Sequence, residues 1–278
     1  MPKRLIRIAH SPDTDDIFMF YALKTGKIVH PDFEFEITGE DIEALNRMAS
    51  DEVYDITAIS MHAYAHLADK YTLLSSGASM AEKDYGPVVV AKDGKLSDFK
   101  DKLIGVPGEL TTAFLLLKMA MPEFNYVVLK PVAILEALLR GEIDAGLIIH
   151  EGQIQYHELG LKIVHRVMDT WRELAGDLPL PLGGSAVKKS LGDSLVRELS
   201  NLQKNSIEYG LAHRDDAIAY CHKVNPVLSR ADMDRYLNWY VNRRTLDIGD
   251  EGRTALEILY NEAFTRKLLP DAIKIEIV

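Results

Sequence analysis

One cysteine, Cys221, is all that 278 residues provide, which excludes an internal disulfide and any metal site built from several thiolates. It stands in AIAYCHKVNP, a helix-like stretch where a small buried apolar role is expected. Positive charge is also scarce. Lys and Arg number 32 against 42 Asp and Glu, a formal net charge of −10, so no broad nucleic-acid surface is expected and an anionic ligand must be held by local devices such as helix N-termini. No apolar run reaches the ~18 residues of a membrane-spanning helix. The head MPKRLIRIAHSPDTDD has basic residues, but Arg7 and His10 break its apolar stretch and an acidic cluster closes it; no secretory leader is expected, and a cytoplasmic protein is.

Familiar reaction motifs are missing as well. Neither G-x-G-x-x-G nor G-x-x-x-x-G-K-[ST] occurs, which weakens dinucleotide and nucleoside-triphosphate readings, and no G-x-S-x-G elbow suggests an acyl-transfer hydrolase. His62 and His66 lie four apart, a metal-ligand spacing, but without the Glu of H-E-x-x-H or a third ligand, so no metal site is expected.

What is present is a soluble-globular composition, 47% hydrophobic and 27% charged, arranged as alternating strands and helices. RLIRIAH reads as a strand, DDIFMFYALKTGKI as a helix with acids at its positive end, DFEFEITG as a strand, DIEALNRMASDE as a helix, and YDITAIS as a strand. HAYAHLADK reads as helical, and YTLLSSGAS and YGPVVVAKDG as strands. The alternation restarts after Gly94, through DKLIGVPGELTTAFLLLKMA, YVVLK, PVAILEALLRGE and DAGLIIH. This order predicts an α/β fold with largely parallel sheets. IEALNRMASDEVYDITAIS and ILEALLRGEIDAGLIIH share an amphipathic Glu-Ala-Leu helix, an acidic turn, an Asp and an apolar strand, which suggests two lobes built alike. Boundaries are expected near residues 91–95 and 184–190, giving one lobe from 1–92 with 187–278 and a second from 93–186. The helical last third, from about Ser190, is expected to pack on the first lobe and return the chain across the hinge.

Parallel sheets gather their C-terminal strand ends at a crevice. Four such junctions are HSPDTDD, ISMHA, GVPGELTTA and IIHEG. In the third, Thr111 or Thr112 caps a helix whose free N–H groups suit an anion, although a plain cap accounts for them too. Ser60 ends one strand, and Asp13 and Asp15 open the first helix, where capping or contact with substrate hydroxyls both fit. His150 ends the strand DAGLIIH. With an ordinary pKa near ~6.5 an imidazole there suits a general base, while Glu151 either orients it or caps the next turn.

Together HSPDTDDIFMFYALKTGKI, DITAISMHAYAHLADKYTLLSSGASMAEKDYGPVVVAK, GELTTAFLLLK, AGLIIHEGQIQY and LPLPLGG resemble the menaquinone-biosynthesis family of 1,4-dihydroxy-6-naphthoate synthase and chorismate dehydratase. The likeness runs in order over residues 4–190. It implies a two-lobe, type II periplasmic-binding-protein-like fold with a cleft between the lobes, a small-molecule carboxylate substrate, and no metal or organic cofactor. It carries a catalytic histidine in His-Glu-Gly context onto His150, which favours the synthase branch, and substrate contacts onto Ser60, Thr111 and Thr112. The candidate contacts are therefore Ala58, Ile59, Ser60, Thr111 and Thr112, with Asp13 and Asp15 from the head. The head departs from the resemblance: synthases open with Ser-Pro-Cys-Pro-Asn-Asp, where this chain has Ser11-Pro12-Asp13-Thr14-Asp15-Asp16. A carboxylate-binding protein on the same fold and a chorismate dehydratase are the other readings.

Overall fold

Two sheets exchange strands across a cleft in the computed structural model, which describes residues 2–94 and 99–278. The first begins β1 (Arg4–His10), α1 (Thr14–Lys24), β2 (Phe33–Gly39), α2 (Ile42–Ser50), β3 (Ile56–Ser60), α3 (Met61–Ala65), β4 (Tyr71–Leu73) and β5 (Ser79–Ala81). The chain then crosses into the second sheet with β6 (Val88–Ala91) and β7 (Leu103–Val106). There follow α4 (Thr112–Ala120), β8 (Asn125–Val128), α5 (Pro131–Arg140), β9 (Ala145–Ile148), α6 (Gly152–Gln155), β10 (Lys162–Arg166) and α7 (Val167–Ala175). β11 (Leu180–Lys188) returns to the first sheet, and α8 (Asp193–Ala212), α9 (Arg214–Val224), α10 (Arg230–Tyr240), α11 (Arg243–Leu246) and α12 (Gly249–Thr265) complete the chain.

The strand orders are β2-β1-β3-β11-β4, with β5 also on β11, and β10-β6-β9-β7-β8. In each sheet three strands are parallel, β2-β1-β3 and β8-β7-β9, and the next neighbour, β11 or β6, runs antiparallel. The two lobes thus repeat one topology, as the paired Glu-Ala-Leu segments suggest. Both sheets are mixed rather than largely parallel, because the crossing strands enter the opposite lobe against its direction. The expected boundaries fall C-terminal to both crossings. β6 lies between β10 and β9 in the second sheet, and β11 reaches the first sheet before the helical third begins, so the helices do not make the return crossing. Residue 95 of the first expected boundary lies outside the described residues.

Local chemistry accounts for the elements that carry the cleft. Pro131 opens α5, and Gly141 closes it at φ 76°, a left-handed position that favours glycine. Asp41 caps α2 by accepting from the Glu43 N–H, and Thr111 caps α4 by accepting from that of Phe114. α1 is buried from Ile17 through Leu23, so its apolar residues form no stripe: α8, α9 and α10 pack on the helix, which shares its core with the first sheet. The chain end adds a short extension beside β4, with Leu73 N–H bonded to the Glu276 carbonyl at 3.0 Å and Val278 N–H to that of Leu73 at 3.0 Å. Among the described residues no helix is long and apolar enough to cross a membrane.

Candidate active site

The ends of β1, β3, β7 and β9 converge on one pocket between the sheets, with a cavity volume of about 90 Å³. Its wall contains Asp13 and Asp15 from the head of α1, Ala58, Ile59 and Ser60 from β3, Thr111 and Thr112 from the start of α4, and His150 from the turn after β9. Asp16, Ser79, Gln153, Leu182, Gly183, Tyr236 and Tyr240 complete much of the rest.

β9 ends at Ile148, and His150 follows with φ 54°, an uncommon conformation for a residue with a Cβ. Gly152 makes the sharp turn into α6 feasible, since a Cβ there would sit 2.6 Å from Cγ2 of Ile148. The turn sets His150 Nδ1 2.6 Å from Asp13 Oδ2 across the cleft. Asp13 occupies the N-cap of α1 but makes no side-chain cap; its carboxylate faces the imidazole instead. Asp15 Oδ2 accepts from the Ser79 hydroxyl at 2.7 Å, and Asp16 Oδ2 from the Ser11 N–H at 2.7 Å. Oδ1 of Asp13 and Oδ1 of Asp15 are buried without a hydrogen-bond partner.

Burial, reinforced by their neighbours' charge, pushes the Asp13 and Asp15 carboxyls up to about 6 and that of Asp16 up to about 8. For His150, burial acts to lower the proton affinity, but the Asp13 carboxylate more than offsets it and raises the group to about 10. This corrects the expectation of a base titrating near ~6.5: the free site holds an imidazolium paired with a carboxylate at neutral pH.

Glu151 neither orients the imidazole nor caps α6. Its Oε1 crosses the cleft to accept from the Thr14 N–H at 2.8 Å, the Thr14 hydroxyl at 2.7 Å and Asn225 Nδ2 at 3.0 Å. Thr111 directs its hydroxyl to its own turn, donating to the Gly108 carbonyl at 2.8 Å. Thr112 donates to the Leu182 carbonyl at 2.5 Å and accepts from the His62 N–H at 3.2 Å. What α4 leaves free for a ligand is its first N–H groups, those of Thr112 and Ala113, which have no partner within the helix.

Sequence reasoning missed Asn46. Fully buried in α2, it brackets Ser60, accepting from the Ser60 N–H at 2.9 Å and donating to the Ser60 hydroxyl oxygen at 3.0 Å. The available signal was an amide beside Leu45 and Ala49 on the apolar face of an amphipathic helix. Gln153, whose side-chain amide lies 2.7 Å from the Tyr240 hydroxyl, carried no signal at all, because Tyr240 comes from a distant helix. His62 and His66 have ring centroids 5.4 Å apart, burial pushes His62 down to about 4, and among the described residues no group of three or more His, Cys, Asp or Glu could hold a metal ion. Cys221 is fully buried, and burial pushes its thiol up to about 12.

Beyond the Asp13–His150 pair lies a second cavity of about 600 Å³, lined by Phe20, Lys24, Lys130, Val132, Glu151 and Tyr220 among others. Asp13, Ile149 and His150 border both spaces.

Comparison with known proteins agrees with this architecture. A Candida albicans protein described as exhibiting the generic periplasmic binding protein fold superposes with a TM-score of 0.62 at 14% identity, covering 100% of this chain and 99% of its own. The fold is that of periplasmic binding proteins. A crystal structure of an Archaeoglobus fulgidus protein matches with a TM-score of 0.88 and 44% identity, over 95% of this chain and 98% of that one. A 1,4-dihydroxy-6-naphthoate synthase of Thermus thermophilus is 37% identical over 263 residues, 95% of each chain. The model of the menaquinone biosynthesis family matches residues 6–265, and with that extent of agreement the chain belongs to this family.

Proposed function

We propose that the protein is a carbon–carbon lyase that converts cyclic dehypoxanthine futalosine to 1,4-dihydroxy-6-naphthoate, with His150 as general base. The observation that carries this is the meeting, in one small pocket, of an imidazole and an anion seat made by the α4 N-terminus and Ser60. The substrate carboxylate rests on the Thr112 and Ala113 N–H groups with Ser60 donating from the facing lobe. The anchored ring system fills the inner pocket, and the sugar-derived portion extends past His150 toward the larger cavity. His150 acts in its neutral form, which the Asp13 carboxylate makes the minor one at neutral pH: Nε2 removes a proton from that portion, the carbon–carbon bond breaks to release a small dihydroxyketone, and the ring becomes aromatic. Aromatisation supplies the driving force; the protein supplies position and the base.

The test is incubation with cyclic dehypoxanthine futalosine, with formation of the naphthoate followed by absorbance. His150→Ala should keep its fold and product affinity and lose turnover by ~10² to 10⁴. Near-normal turnover in that variant removes the base, and binding without turnover in the unmodified protein makes this a carboxylate-binding protein instead.

A further inference from the structure

We infer that Asp13 is the positioning residue of the reaction: its carboxylate holds the imidazole proton on Nδ1 of His150, leaving Nε2 as the lone pair that faces substrate. The inference rests on the reading of His150 as the base. It starts from an anomaly at the head of α1. An aspartate at an N-cap ordinarily accepts from the N–H groups of the first turn, a contact worth ~1 kcal/mol. Asp13 has the extended backbone of a cap, φ −78° and ψ 162°, and its carbonyl receives the Ile17 N–H at 3.1 Å, yet the side chain forgoes the helix. It turns across the cleft to Nδ1, at 2.6 Å, and both groups border the pocket.

The geometry determines what Asp13 does for the ring. Imidazole nitrogens are distinct, and a carboxylate, which only accepts, can bond Nδ1 only when that nitrogen carries the proton. The bond therefore fixes the tautomer, fixes the ring plane, and stabilises the imidazolium formed once Nε2 has taken a proton, as in other base–carboxylate pairs. His150 needs such a brace, because its backbone is left-handed and its own turn provides no orienting side chain: the neighbouring Glu151 is committed to Thr14 and Asn225. Charges that face His150 come from Asp13 and Asp15 on α1 and from Glu151 beside it; Asp16 is near enough to interact, and Tyr236 and Tyr240 of α10 line the same wall. Of these only Asp13 contacts the ring.

The experiment is Asp13→Asn, which keeps size and removes the charge, measured as the pH dependence of kcat/KM and by ¹⁵N NMR of His150. An Asn amide presents a donor as readily as an acceptor, so the preference for the proton on Nδ1 is lost and the form with Nε2 free becomes a smaller share of the neutral ring. In the unmodified protein the ring nitrogens should titrate well above the ordinary imidazole value and the rate should rise with pH across that range. In the variant the titration and the rising limb should move down toward ~6.5, and the plateau of kcat/KM should fall by ~10²-fold or more. A plateau within about threefold of the unmodified protein overturns the inference, because a pair that only clamps the lobes shifts KM and leaves the base intact. The NMR titration of the unmodified protein needs no variant to fold, and an ordinary imidazole value there overturns it as well. If His150→Ala still turns over, the base itself is wrong; if that variant is dead and Asp13→Asn keeps its plateau, only the positioning role fails.

Discussion

Replacing Glu151 by Ala should cost stability out of proportion to the size of the side chain, because one carboxylate oxygen serves three donors from two other segments. Those donors are the N–H and hydroxyl of Thr14, at 2.8 and 2.7 Å, and Nδ2 of Asn225, at 3.0 Å. Bonds to a charged acceptor contribute ~1.5–3 kcal/mol each, so a simple sum reaches ~5–9 kcal/mol. Two effects reduce it. Burial pushes the Glu151 carboxyl up, so its removal relieves a desolvation cost. Glu151 also borders the 600 Å³ cavity, from which water can reach the half-buried Asn225, whereas Thr14 is 1% exposed and its two donors are left unmet. The net expectation is ~2–4 kcal/mol, which for a chain of this size lowers the midpoint of thermal unfolding by ~5–15 °C. Thr14→Val, which removes only the hydroxyl, should lose about a third of that. Circular dichroism melts of the three proteins at pH 7 decide the matter. A Glu151→Ala midpoint within about 1 °C of the parent would mean that the contact is not a brace across the cleft.

Two further outcomes follow from the same cleft. Asn46→Ala frees the Ser60 hydroxyl to rotate and leaves its N–H unpaired, so KM should rise ~10-fold, equivalent to one hydrogen bond, with kcat little changed; an unaltered KM in steady-state assays removes Ser60 from the anion seat. The acidic head should also make stability fall with rising pH. Asp13 and Asp15 at about 6 and Asp16 at about 8 lie above their unfolded value, so the folded chain binds more protons between pH 4 and 8 and loses that advantage as pH climbs. The raised His150 acts in the same direction, its contribution being complete below its unfolded value and lost through about 10. Asp16→Asn, isosteric and uncharged, should gain thermal midpoint relative to the parent as pH is taken from 6 to 9; a constant difference across that range contradicts the assignment.

The topology was legible wherever a local rule repeats. The alternation of strand and helix, and the Glu-Ala-Leu helices feeding apolar strands, predict two similar lobes, and the sheets do repeat one arrangement of three parallel strands and an antiparallel neighbour. The crossings were not legible, for a physical reason. Val88–Ala91 is buried on both faces, which any central strand satisfies, and nothing in such a run states which sheet it joins or in which direction. YTLLSSGAS likewise reads as one strand, yet it splits into β4 and β5 because both pair with β11 while the loop between them turns inward. The site divides along the same line. Residues at strand ends and helix starts, Ser60, Thr111 and His150, are set by local geometry, so their place on the pocket wall could be read from sequence. Partners that meet only through tertiary packing, such as Asn46 with Ser60 and Tyr240 with Gln153, left no periodic trace.

The head loop shows most directly how a departure from a resembled motif can be physically coherent. Where the resembled synthases have Cys-Pro, this chain has Asp13-Thr14. A proline at position 14 has no N–H and no hydroxyl, so neither of the two bonds from Thr14 to Glu151 could form. A neutral thiol at position 13 offers His150 a weak, soft partner in place of a carboxylate. The adjacent replacements thus act on adjacent residues across the cleft, one on His150 and one on Glu151, and each installs a polar contact that the other motif lacks. Exchange of both residues together should therefore be milder than the sum of the two single exchanges only if the two contacts share one strained segment. The backbone makes them share it, since His150 and Glu151 stand side by side in the turn that begins at φ 54°. A double-mutant cycle between positions 13 and 14 should accordingly show coupling on the order of 0.5–3 kcal/mol, the range for residues in one network, and strict additivity would separate the two bonds into independent events.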